Sequence, residues 1–131
     1  MTGSLLVSGC GTQDESLAPA GDLIQLLKVA DFAEYLESNP TAELLNVHIP
    51  YDGHIAGTDE FVAFDEILDS ERLPSDLDAP IALYCRSGNM SGQSAAALAA
   101  AGYTNIVDLD GGMNSWAAAG RELLTAEPEP S

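Results

Sequence analysis

Basic side chains are what this chain has least of. Its 131 residues hold 4 Lys and Arg against 21 Asp and Glu, a formal net charge of −17. Binding nucleic acid or an anionic membrane surface needs a basic patch, so neither is expected as a partner. An anionic substrate has to approach against the overall field, with Arg86 as the one obvious local attractor. The acidity itself reads as a solubility device. Cysteine is scarce as well: Cys10 and Cys85 stand in very different settings, which does not suggest a disulfide framework. With 2 His and one free thiol, no spacing reads as a metal-ligand cluster. Gly111-Gly112 reads as a tight turn before a helix, not as a dinucleotide fingerprint, and no cofactor is expected. Long apolar runs are missing too. What remains is an ordinary globular composition, 46% hydrophobic. The length suits one domain able to bury a core without staples.

Along the chain, short apolar runs alternate with helical spacings. Strands are expected at Leu23–Leu27, Leu44–Ile49, Ile81–Tyr84 and Asn105–Leu109, with a further short one at Phe61–Phe64. Helices are expected over Asp31–Ser38, Gly92–Ala101 and Met113–Ala119, with a shorter one over Glu66–Ser70 capped by Asp65. Gly102 and Gly120 stop two of them. The alternation implies an α/β domain: a small parallel sheet with helices on both faces, spanning residues 23–124. Residues 11–22 have a linker composition, and residues 125–131, with Pro128 and Pro130 among acids, read as a frayed tail.

The stretch Ile81-Ala82-Leu83-Tyr84-Cys85-Arg86-Ser87-Gly88-Asn89-Met90-Ser91 carries the chemistry. An apolar strand stops at a cysteine and an Ala-rich helix starts just beyond it. The intervening Arg-Ser-Gly-Asn is turn chemistry, so backbone N–H groups can converge on the sulfur while the helix aims its positive end at the same place. Both effects favour the thiolate, the reactive form. Parallel sheets put working residues at the carboxyl ends of their strands. Cys85 sits at such an end, and His48 and Asp108-Leu109-Asp110 are candidates for the same rim. The bland alternative is that Cys85 is a small buried apolar residue, which leaves Arg86 and Gly88 without a purpose.

These residues resemble a known family. Cys85-Arg86-Ser87-Gly88-Asn89 resembles the active-site loop of single-domain rhodaneses, sulfurtransferases that carry sulfur as a cysteine persulfide. His54-Ile55-Ala56-Gly57-Thr58 is similar to the family's G-H-I-x-G-A segment, and Gly111-Gly112-Met113-Asn114-Ser115-Trp116 to its G-G-x-x-x-W signature. The resemblance implies Cys85 as nucleophile and the backbone of Arg86, Ser87, Gly88, Asn89, Met90 and Ser91 as a cradle for sulfur and anion. The charge of Arg86 beside the sulfur reads as electrostatic support, and His48, at a strand end, is a candidate for the substrate pocket. The donor expected is a small sulfur compound or a protein persulfide, and the acceptor a thiol or a cyanide-like nucleophile. A monomer is expected.

The sequence departs from that pattern in three places. Met90 stands where many active members have the last arginine of C-R-S-G-x-R, which puts thiosulfate as donor in question. Asn46 and His48 stand where the family has an Asp-x-Arg pair, although Asn46 to Gly53 resembles a subset reading N-V-H-I-P-Y-[DE]-G. No lysine follows near the loop. A phosphatase or arsenate reductase of the related fold needs an arginine six residues after the cysteine to clamp an oxyanion, and Ser91 stands there. A non-catalytic binding or regulatory module stays open as the alternative. His54 and Trp116 read as structural. Near the start, Leu6-Val7-Ser8-Gly9-Cys10 resembles a bacterial lipobox, in which Cys10 becomes the lipidated residue. There is no positive n-region, and the run Leu5–Val7 is too short for an h-region. The match is therefore either part of a signal peptide or chance. On the first reading the domain is extracytoplasmic and tethered to a membrane by lipid; on the second it is cytoplasmic.

Overall fold

The structure, a computed structural model, describes residues 24–125. The lipobox-like start with Cys10, the linker, Leu23 and residues 126–131 lie outside the described residues. In chain order the elements are β1 (Ile24–Leu27), α1 (Val29–Ser38), β2 (Glu43–Asn46), β3 (Glu60–Phe61), a 3-10 segment (Phe64–Asp69), β4 (Ile81–Tyr84), α2 (Asn89–Ala100), β5 (Ile106–Leu109) and α3 (Gly112–Ala118). The five strands form one sheet in the order β1-β5-β4-β2-β3, and every pairing is parallel.

The sheet is covered on both faces, and strand alternation decides which side chain goes where. Ile81, Leu83 and Cys85 point to one side, together with Leu45, Val47 and Ile106, and meet Ile67 of the 3-10 segment and Ala95, Leu98 and Ala99 of α2. Ala82 and Tyr84 point to the other side, with Leu44, Val107 and Leu109, and meet Phe32 and Ala33 of α1 and Met113 and Trp116 of α3. All four residues of β4 and of β5 are buried. These strands lie inside the sheet with a neighbour on each side, which is why they read as unbroken apolar runs apart from Asp108.

The helix expected from Asp31 begins at Val29, and four further departures each have a local reason. The strand expected to run to Ile49 ends at Asn46. There the Asn46 amide donates to Gly53 O at 2.9 Å and its Oδ1 accepts the His48 N–H at 2.9 Å, turning the chain out of the sheet. The strand expected over Phe61–Phe64 is Glu60–Phe61, two residues pairing only with β2. Asp65 caps nothing, because the segment is a 3-10 turn entered from Ala63 with no side-chain cap. The helix expected from Gly92 begins at Asn89. Gly88 adopts φ of +109°, a conformation open to glycine, and this lets the backbone enter the helix at once. Asn89, Met90 and Ser91 therefore belong to its first turn.

Candidate active site

Cys85 follows the last residue of β4, which has β5 on one side and β2 on the other. The residue is buried, 1% exposed, and is the free cysteine among the described residues. The left-handed Gly88 turns its N–H back onto the sulfur, donating to Sγ at 2.9 Å. On the helix side, Ser91 Oγ lies 3.4 Å from Sγ and 3.4 Å from Gly88 O. Ser91 is fully buried.

The loop is braced from its other side by α3. Met113 N–H donates to Cys85 O at 2.8 Å and Asn114 N–H to Arg86 O at 2.9 Å. These are N–H groups of a helix's first turn, which have no partner within their own helix. Here they hold two carbonyls of the loop in place. Such an approach requires Gly112 to carry no side chain: it sits at φ +59°, and a Cβ there would run into Cys85 O and lie 2.7 Å from Arg86 C and O. The G-G-x-x-x-W stretch is thus a support for the cysteine loop, while its Trp116 packs edge-on against Phe32 at 6.4 Å and donates to Glu122 O at 3.1 Å.

The remaining expected site residues separate into two groups. Ser87 and Asn89 are exposed. Met90 is partly buried and packs against the α2 side of the core. Arg86 leans outward: its Nη1 donates to Asp52 Oδ2 at 2.6 Å. His48 Nε2 lies 3.9 Å from the same Asp52 oxygen. Asp52 therefore holds Arg86 and His48 together at the rim, an arrangement that a position 34 residues upstream of Arg86 does not advertise. His54 is structural: its Nδ1 and the Tyr51 hydroxyl are 2.7 Å apart, its ring meets Phe61 edge-on at 5.2 Å, and its backbone pairs with Leu124. Among the described residues no group of His, Cys, Asp or Glu is arranged to hold a metal. No helix among them is long and apolar enough to cross a membrane.

Two buried polar groups flank this region. On the α3 side, the Tyr84 hydroxyl accepts the Ile55 N–H at 2.9 Å and lies 2.6 Å from Thr58 Oγ1. Burial pushes its pKa up to about 12. On the α2 side is Asp108 of β5, 3% exposed and paired in register with Leu83. Its Oδ1 has no hydrogen-bond partner. Burial chiefly, with repulsion from Asp110, raises its pKa to about 6, while the Ser91 hydroxyl and the Leu109 N–H pull it back. The carboxyl-end rule put Asp108 on the rim; nothing in the sequence marked it as buried beside Ser91.

A family model for the rhodanese-like domain matches residues 15–119. The chain belongs to the rhodanese-like family. Curated relatives include the thiosulfate sulfurtransferase GlpE of Ectopseudomonas mendocina, 36% identical over 92 residues, which are 66% of this chain and 79% of that one. Another is GlpE of Pseudomonas fluorescens, 41% identical over 64 residues, 49% of this chain. That alignment spans 57% of the relative's length. Among solved structures, a rhodanese-related protein of Thermoplasma volcanium superposes with a TM-score of 0.64 at 25% identity, covering 78% of this chain and 99% of that one. The parallel five-stranded sheet and its flanking helices are the family's α/β fold.

Proposed function

We propose that the chain is a sulfurtransferase that moves sulfane sulfur through a persulfide on Cys85 to a thiophilic acceptor. The observation that carries this reading is the 2.9 Å hydrogen bond from the Gly88 N–H to Cys85 Sγ, at the end of an inner strand. Family membership and the thiosulfate sulfurtransferase activity that the curated relatives are named for support the reaction class. A backbone donor fixed by a left-handed glycine stabilises negative charge on sulfur without moving during the reaction. The Cys85 thiolate attacks the outer sulfur of the donor. A new S–S bond forms on Cys85 as the donor's S–S bond breaks, and the electron pair leaves with sulfite if the donor is thiosulfate, or with a thiolate if it is a persulfide. A thiol or cyanide-like acceptor then attacks the outer sulfur, and Cys85 leaves as the thiolate. No oxidant or cofactor enters the balance.

The donor favoured by the rim is a persulfide, small or protein-bound, rather than thiosulfate. Arg86 is engaged by Asp52, and Met90 packs inward where a second cation would have helped hold a dianion. A second reading, a non-catalytic binding or regulatory module, is favoured by one observation, the 1% exposure of Cys85. Intact-mass spectrometry separates the two after mixing with thiosulfate and, separately, with a low-molecular-weight persulfide, beside a Cys85→Ser control. One added sulfur, absent in the control and removed by cyanide, is expected from the persulfide. No added sulfur from either donor overturns the enzyme reading in favour of the module.

We read the domain as a monomer, and Leu6-Val7-Ser8-Gly9-Cys10 as the lipobox of a lipid tether outside the cytoplasm. The matched domain begins at residue 15, leaving a short stretch after Cys10 as the tether. Expression of the full chain with Cys10→Ala is expected to shift the protein from the membrane to the soluble fraction. An unmodified Cys10 in the intact mass overturns it.

A further inference from the structure

We propose that the rim beside Cys85 is a docking surface for a basic protein that carries its sulfur as a cysteine persulfide, with Ile49 and Phe61 as the apolar contacts. The proposal rests on Cys85 being the sulfur-carrying nucleophile and names the partner of that same site. β4, β2 and β3 are consecutive neighbours in a parallel sheet, so Cys85, His48 and Phe61 all lie at its carboxyl end. Two strand spacings, about 10 Å, separate the line of Phe61 from that of Cys85. Both fall within the footprint of an ordinary protein interface, about 800 Å² on each partner. Ile49 and Phe61 are large apolar side chains left exposed there. Phe61 is held edge-on by the rings of Tyr51 at 5.8 Å and His54 at 5.2 Å. Ile49 belongs to the loop whose Asp52 bonds Arg86, the residue after Cys85. Apolar side chains held on an open surface favour a partner over water.

Charge decides what kind of partner fits. Phe61 and Val62 line an open cleft of about 340 Å³ together with Glu60, Glu66, Asp69 and Glu71. Glu60 accepts the Ser70 hydroxyl at 2.7 Å. None of the four carboxylates pairs with a Lys, Arg or His among the described residues. Arg72, next to Glu71 in the chain, is turned instead to Glu43 at 3.2 Å and Asp59 at 3.7 Å. An aromatic ring among unpaired carboxylates suits Lys and Arg, whose aliphatic stems cover the ring while their heads reach the acids. The acidity that opposes a dianion therefore favours a carrier bringing its own positive charge. Such a carrier also needs no cation from the rim, where Arg86 is already matched by Asp52. Once it is docked, the Cys85 thiolate attacks the outer sulfur of its persulfide. That S–S bond breaks as the new one forms, and the carrier's cysteine leaves as a thiolate.

Docking is tested without sulfur chemistry by titrating a dye-labelled peptide rich in Lys and Leu, free of cysteine, into the Cys85→Ser protein and following its anisotropy. Binding is expected, and is expected to weaken by about tenfold when Glu66→Gln and Asp69→Asn are combined, and similarly in Phe61→Ser. Glu34→Gln with Glu37→Gln removes the same charge from α1, which packs over β1 and β5, and is expected to leave binding within about twofold. No binding, or equal weakening by the α1 pair, overturns the proposal, the latter by showing only overall charge at work. Loading is then read by intact mass from two peptide persulfides that differ in their flanks, one Lys-rich and one Glu-rich. At low salt the Lys-rich peptide is expected to load Cys85 at least about tenfold faster, and the Glu66→Gln/Asp69→Asn protein to lose that advantage while loading normally from a low-molecular-weight persulfide. Equal loading from the two peptides overturns the docking surface and, with the small persulfide still loading, leaves the Cys85 reading intact. No loading from any persulfide overturns that reading and the partner with it.

Discussion

Replacing Asp108 with asparagine isolates what it costs to bury one carboxylate in this fold. Asp108 is 3% exposed, and its pKa is raised from 3.8 to about 6. In the window between those values the native protein holds a proton that the unfolded chain has released. Stability therefore falls as pH rises, by about 1.4 kcal/mol per pH unit. The shift spans roughly two units, so the loss accumulates to about 3 kcal/mol by neutral pH and is constant above it. Below the unfolded value both states are protonated and there is no loss. Asparagine has nearly the same shape and no charge, and its oxygen inherits the unpartnered position of Oδ1, so the desolvation of that atom cancels between the two proteins. Asp108→Asn is expected to match wild type near pH 4 and to exceed it by up to about 3 kcal/mol from pH 7 upward.

Urea unfolding followed by the fluorescence of Trp116, the chain's one tryptophan, measures the difference at steps between about pH 4 and pH 8. A net charge of −17 also makes the folded protein less stable as pH rises. That repulsion is common to both proteins, and 1 M salt shortens its range to about 3 Å, whereas the Asp108 effect is local and buried and survives salt. A difference that stays flat across the pH range would falsify the account, since it would mean that Asp108 ionises alike in the folded and unfolded chain.

Gly112→Ala places a methyl group against Cys85 O and Arg86 at a backbone angle that L residues resist. It is expected to lower stability by about 2–3 kcal/mol and to slow persulfide loading of Cys85, read by unfolding midpoint and mass spectrometry; wild-type values for both would show that α3 does not brace the loop. Asp52→Asn frees Arg86 from a largely exposed ion pair and is expected to change stability by less than about 1 kcal/mol. Its kcat/KM for thiosulfate is expected to rise roughly tenfold, with little change for a neutral persulfide; equal changes for the two donors would rule out a role for Asp52 in donor choice.

Most of the frame was legible because it rests on local signals. Ile81–Tyr84 and Ile106–Leu109 are short apolar runs bounded by turn residues, and both became inner parallel strands. The errors fall where a single residue does two jobs. Asn46 is an ordinary strand residue by pattern, yet its amide ends the strand by bonding Gly53 O. Asn89-Met90-Ser91 looks like loop chemistry, yet Gly88 at φ +109° lets the helix start there. That moves Ser91 from a loop position to a fixed one, buried in a helix turn 3.4 Å from Sγ. The partners of Arg86 and Asp108 could not be read from spacing at all. Asp52 lies 34 residues before Arg86, and Asp108 comes to lie beside Leu83 only because β5 pairs with β4. Local pattern names the nucleophile; sheet order decides which charges surround it.

Those charges narrow the ways in which the site can attract sulfur. At the carboxyl end of the sheet, Arg86 is matched by Asp52 and Lys28 by Asp110, both as exposed pairs. Asp108 is left as a buried carboxyl with no cation bonded to it among the described residues. Summed over these groups the rim carries no surplus positive charge, and the rest of the protein is strongly acidic. What remains to favour an anion at Sγ is a backbone donor, the Gly88 N–H at 2.9 Å, whose effect is short-ranged and aimed. Such a donor stabilises a thiolate or persulfide sulfur once formed but does little to draw a distant dianion through a repulsive field. Selection at this site therefore rests on contact with a polarisable sulfur rather than on long-range steering. On that reasoning, raising the ionic strength should speed loading from thiosulfate by screening the repulsion and leave loading from a neutral persulfide unchanged. Loading from thiosulfate that slows with salt would instead mean that Arg86 attracts the donor despite Asp52.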